Sequence, residues 1–271
     1  MNLTFMNVDQ LCSTADFSSD MPLLDLSNVT FFEPFALVYL GMFLRYHSSR
    51  GIKLQVKPPT SPQARDYLAR QNFWARFNFN PDIIKKESLR RLTTSTSLND
   101  IVDVERQERV AEDIAEKILS VLRRNSVAVR ATAIAELMSE LADNFAQHSE
   151  RTLAAVAMQY YPNLRYVCLS IGDCGIGIRA SLASNPKYFH IAQGPHHEAA
   201  LKAFEPLVSR RAEGGTGLTE VREQTLRLGG ALILATGDGY VTINERGTRF
   251  GPMAYDLSGV QIQLGFPERM A

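Results

Sequence analysis

ELMSELADNFAQHS, residues 136–149, and IGDCGIGI, residues 171–178, decide how this chain is read. The first stretch predicts one amphipathic helix. Ile134, Leu137, Met138, Leu141 and Phe145 recur at helical spacing and make a core face. Glu140, Asn144 and His148 stand four apart, so they stack along the same rod. On a helical wheel Asn144 and His148 fall at the border of the apolar stripe, while Ser139, Asp143 and Glu150 take the solvated side. Polar groups at such a border need a metal, a ligand or water as partner. At the second stretch a strand over Tyr166–Ile171 turns through Asp-Cys-Gly-Ile-Gly. Glycines let a backbone approach a flat ligand closely, and an acid beside them accepts a hydrogen bond from an amine. Further on, Glu213–Leu218 (EGGTGL) opens a helix as a phosphate cradle does, with bare backbone N–H groups at its positive end.

Composition narrows the partners. The 271 residues leave room for two domains. Lys and Arg number 29, as do Asp and Glu, and the isoelectric point is near 7.0, so no net basic field favours nucleic acid or an anionic membrane. Cys12, Cys168 and Cys174 make neither a disulfide framework nor a metal-binding spacing, which fits a reducing compartment. The first ten residues lack the basic and apolar regions of a secretion signal. The longest apolar run, Phe35–Leu44, falls short of the roughly 20 residues of a spanning helix. A cytoplasmic protein is expected.

In chain order, residues 1–20 carry no pattern, and Pro22–Phe32 reads as β. Glu33-Pro34 starts a helix that runs to about Ser48. Ile52–Val56 alternates as a strand, and Ser61-Pro62 begins a helix ending near Asn72. The first 80 residues therefore read β–α–β–α. Pro81, the basic KKESLRR and the run TTSTS mark a linker over 81–104. Glu105–Arg124 predicts a helix with Val110, Ile114, Ile118 and Leu122 on one stripe. Arg179–Arg211 is a polar insertion, in which His197–Val208 could be helical and the His196-His197 pair is expected in an exposed loop. Thr219–Leu228 reads as a helix ended by Gly229-Gly230. Ala231–Thr236, a Gly-Asp-Gly turn and Val241–Asn244 suggest a hairpin, and Val260–Phe266 a last strand.

A helix with Glu-x-x-x-Asn, a strand running into DxGxG, GGTGL opening a helix and then a strand pair together resemble the GHKL ATPase superfamily, over Gln107–Pro267. That group includes gyrase-type ATPases, heat-shock chaperones, sensor histidine kinases and anti-sigma-factor serine kinases. The resemblance implies an α/β fold: a two-layer Bergerat-type sandwich over 105–271, with helices on one face of a mixed sheet. It implies ATP and Mg²⁺ as cofactors. Asn144 matches the Mg²⁺ ligand, and Glu140 the general base that activates the attacking nucleophile. Asp173 matches the acceptor of the adenine amine, Gly175 and Gly177 the glycines under the base, and Gly214, Gly215, Thr216, Gly217 and Leu218 the phosphate loop. The 179–211 insertion stands where the family has its ATP lid. Arg210 and Arg211 could reach a terminal phosphate or simply face solvent. Taken singly, Glu140 could be a surface acid, Asn144 a helix-border amide and 214–217 a flexible turn. The family's last strand often begins Gly-Thr; here Gly259-Val260 stands there, with Ser258 adjacent.

Asp25–Pro34 (DLSNVTFFEP) resembles the STAS fold of anti-sigma-factor antagonists, with Glu33-Pro34 in place of the Asp-Ser that carries the phosphorylated serine. A smaller STAS-like α/β domain over 1–80 is thereby implied, as a fixed docking platform. A generic α/β dock reads nearly as well. The two resemblances imply a serine kinase acting on a STAS-type or sigma-like protein partner, without nucleic acid or membrane, and leave a homodimer open. The alternative is an ATP-gated switch or slow ATPase that phosphorylates no protein; an idle scaffold is a third reading.

Overall fold

A computed structural model describes residues 1–77, 96–98, 102–104, 110–125, 127, 130–148, 154–208 and 217–268. The N-terminal segment opens with β1 (Asn2–Leu3) and α1 (Val8–Ser13), followed by β2 (Leu23–Asp25), β3 (Phe31–Phe32), α2 (Pro34–Ser48), β4 (Gln55–Lys57), α3 (Pro62–Arg70) and α4 (Phe73–Arg76). The first 20 residues are therefore not bare of structure: Leu3, Val8 and Cys12 are buried, on elements too short for a period to show. Helix α2 begins at Pro34, whose missing N–H costs nothing in a first turn. Every residue from Pro34 to Leu44 is buried, so the apolar run is a helix enclosed on all sides. Ser61 caps α3 by accepting from the Ala64 amide. The strands of this segment pair in parallel as two separate ladders, β1 with β3 and β2 with β4.

After β5 (Val102–Val104) come α5 (Val110–Arg124) and α6 (Ala131–His148), the latter starting well ahead of Glu136. Then follow β6 (Ala154–Tyr161), β7 (Tyr166–Gly172), α7 (Gly177–Ala183), a 3-10 helix (Pro186–Gln193), α8 (His196–Ala203), α9 (Gly217–Arg227), β8 (Ala231–Asn244) and β9 (Gly247–Pro267). Five strands make one sheet in the order β5-β6-β7-β9-β8. The fold is α/β, but the sheet expected as mixed is antiparallel at every described pairing.

Helices on one face only is the second expectation to be corrected. Val156 and Met158 of β6, Leu169 and Ile171 of β7, and Ile262 and Leu264 of β9 share a core with Ile114, Ile118, Leu137, Met138 and Leu141 of α5 and α6. The alternate residues face the other way. Ala155, Ala157, Ala235 and Leu257 join the core built around α2. Strands apolar on both faces belong inside a sheet covered twice. The small side chains of the second face let α2 lie close: a Cβ on Gly172 would come within 2.8 Å of Val38 Cγ1. Three layers result, with α5 and α6 on one side and α2 on the other. The linker over 81–104 lies mostly outside the described residues, yet the segments on either side of it share this second core.

The hairpin also differs. Gly237-Asp238-Gly239 is no turn but an irregularity within β8, where the register with β9 shifts twice. The chain reverses at Glu245-Arg246, and Asn244 Oδ1 accepts from the Arg246 amide at 2.9 Å. No helix among the described residues is long and apolar enough to cross a membrane.

Candidate functional site

Strand β7 delivers Asp173 to the end of the sheet, where its own amide still pairs with the Val260 carbonyl of β9 at 2.9 Å. The side chain then turns back on the glycine turn. Its Oδ1 accepts from the Gly175 amide at 2.6 Å and from the Val260 amide at 3.3 Å. Oδ2 has no partner among the described residues. Only 4% of the residue is exposed. Burial pushes the carboxyl up to about 7, against the two amide bonds that favour its ionised form.

The glycines around it are held from the strand ends. Ser258 Oγ donates to the Gly175 carbonyl at 2.7 Å, so the hydroxyl nearest the expected Gly-Thr position is tied to the first glycine. Thr236 of β8 accepts from the Ile178 amide at 3.1 Å and donates to the Gly259 carbonyl at 2.8 Å. Gly177 opens α7 at φ +76°, where a Cβ would stand 3.0 Å from that threonine oxygen. Gly259 is constrained further: its φ is +102°, and a Cβ there would overlap the Asp173 carbonyl at 2.1 Å. Thr236 and Gly259 are the residues that reading the chain alone misses. Gly259 was visible only as a departure from a pattern.

Glu140 lies on α6, half-buried, and faces Glu220 in the first turn of α9. Burial first, then Glu220, with which it shares a hydrogen bond, and finally Asp143 raise its carboxyl to about 7. Nothing in the sequence singles out Glu220 except its place just after a glycine run. At the other end of α9, Arg130 donates to the Leu228 carbonyl and so ties the start of α6 to the end of α9. Gly217 opens α9, and Leu218 packs against the core of α5 and α6. Leu141, Ile171, Ile178 and Val221 belong to that same core, so α6, β7, α7 and α9 meet on one side of the sheet.

Gly214, Gly215, Thr216, Arg210 and Arg211 lie outside the described residues, as do the side chains of Asn144 and His148. The insertion after the glycine turn is helical through α7, the 3-10 helix and α8. His196 is not in an exposed loop: it begins α8 and its Nδ1 lies 2.6 Å from Asp238 Oδ1, with Gly237 leaving room for the ring. Cys174 is packed, its thiol donating to the Met42 carbonyl of α2 at 3.2 Å.

No family model, curated protein or solved structure matches this chain.

Proposed function

We propose that this chain binds Mg·ATP between α6 and the two glycine segments, in the manner of the GHKL superfamily it resembles, and acts as a regulatory serine kinase on a protein partner of STAS or sigma-like type. One observation carries the reading: a nearly buried carboxylate, Asp173, spends one oxygen on two backbone amides and leaves the other for a donor from outside the chain. A purine amine is such a donor, and burial strengthens the bond it would make. The glycine run before α9 leads into a helix N-terminus, where phosphate is favoured.

The oxygen-rich chemistry of Glu140 and Glu220 fits a divalent ion accompanied by phosphates, since Mg²⁺ needs only one or two protein oxygens beside them. Asn144 remains the proposed protein ligand, and the ion would offset the charge of the triphosphate. Glu140, raised to about 7, suits a group that takes a proton from a serine hydroxyl near neutral pH, which favours chemistry over an idle scaffold.

Thermal denaturation with and without Mg·ATP tests binding, because a ligand selective for the folded state must raise the melting temperature. No shift at millimolar Mg·ATP refutes the proposal. Labelled ATP with STAS-type or sigma-like partners should then yield phosphoserine. Phosphate release without labelled partner would point to the slow ATPase or ATP-gated switch instead.

A further inference from the structure

The turn that carries Asp173 is also gripped from the opposite face of the sheet. Gln261 of β9 is fully buried, and its Nε2 donates to the Asp173 carbonyl at 2.9 Å. Its Oε1 is buried with no partner among the described residues. The side chain therefore keeps a desolvated oxygen for the sake of one bond to the turn. Beneath it lies α2. Val38 packs where a Cβ on Gly172 would stand, and Cys174 reaches Met42 through its carbonyl at 3.2 Å and its sulfur at 3.5 Å. Two residues along β9, Gln263 Oε1 accepts from the Phe35 amide at 3.0 Å, and its Nε2 lies 3.3 Å from Glu33 Oε1, so the start of α2 is pinned to the same strand.

We propose that Gln261 is a positioning residue for Asp173, and that α2 backs the nucleotide site from the far face of the sheet, so that the N-terminal segment is a working part of that site. The inference rests on the ATP-binding reading above. Gln261 touches no nucleotide. It sets where the Asp173 backbone stands, and with it the direction of the free carboxylate oxygen. A shift of that oxygen costs the donor specific to adenine and leaves phosphate contacts in place. This goes beyond the fixed docking platform expected of the N-terminal segment: Pro34–Leu44 is buried on every side against the rest of the chain.

Gln261→Met tests this. Methionine keeps the length and volume; it strips the Asp173 carbonyl of its donor and also removes the unpartnered Oε1, two effects that offset each other in stability. The expected result is a melting temperature close to that of the parent. Affinity for Mg·ATP should fall about five- to tenfold, Mg·GTP affinity should hardly change, and the preference for adenine should be lost. Should Gln261→Met fail to fold, Cys174→Ala is measured in its place and should give the same loss of preference in smaller measure. Hydrogen exchange on the full chain gives a second readout: Mg·ATP should slow the amides of α2 around Val38–Met42. Unchanged ATP affinity in a folded Gln261→Met, or α2 amides indifferent to nucleotide, overturns the inference. If the parent itself binds no Mg·ATP, it is the proposed function that fails first.

Discussion

Replacing Asp173 by Asn should make the chain more stable and much weaker for adenine nucleotide at once. In the folded chain this carboxyl is held at about 7, against an ordinary 3.8. Between those pH values the folded chain keeps a proton that the unfolded chain has released. Stability therefore falls as pH rises from about 4, and the loss is complete above 7. At about 1.4 kcal/mol for each pH unit of the interval, the upper bound on that loss is about 4 kcal/mol. Asparagine holds no such proton, and its oxygen can still accept from the amides of Gly175 and Val260. With the oxygen so engaged, the amide nitrogen takes the place of Oδ2 and meets the purine amine donor to donor. Urea denaturation of both proteins at pH 4.5 and pH 8 reads the first effect. The variant should be ahead by only about 1 kcal/mol at the lower pH and by up to about 4 kcal/mol at the higher. Glu140 titrates in both proteins and drops out of the difference. Melting with Mg·ATP reads the second effect: the parent gains about 2.7 kcal/mol at a hundredfold excess over Kd, and the variant, left with phosphate contacts alone, gains less than half of that. A variant less stable than the parent at pH 8, or one shifted by Mg·ATP as far as the parent, would refute the reasoning.

Glu140→Gln should abolish phosphoryl transfer while leaving Mg·ATP binding within a few-fold, because the amide takes no proton. In the parent, activity should rise with pH as the base form appears, with a midpoint that bound Mg²⁺ draws below about 7, and a flat pH–rate profile over 5–8 would contradict this. Gly259→Ala should cost at least about 2 kcal/mol by denaturation, since a φ of +102° and a 2.1 Å overlap with the Asp173 carbonyl leave no room for a methyl group. A neutral result would mean that the strand end is free to move. Asn144→Ala should remove the Mg²⁺-dependent part of ATP affinity, measured by titration with and without the ion. Equal affinity in the presence of Mg²⁺ would dismiss Asn144 as the ligand.

Sequence alone determined the pieces governed by local rules. The apolar stripe of α6, the proline entry to α2, the turn after β7 and the glycines that end α9 each follow from periodicity or backbone freedom within a few residues. Asp173 was legible too, because an acid inside a glycine turn is marked by its neighbours. Tertiary structure decided the rest. Glu220 acquires meaning only when α9 is laid beside α6, and Gly259 only when β9 runs under the Asp173 carbonyl. The run AAVAMQYY records that β6 is buried without recording by what; a continuous apolar strand looks the same whether one helix layer covers it or two. Contacts between residues hundreds of positions apart, such as Phe35 with Gln263, leave no period in the chain, and it is they that place the N-terminal helix beneath the site.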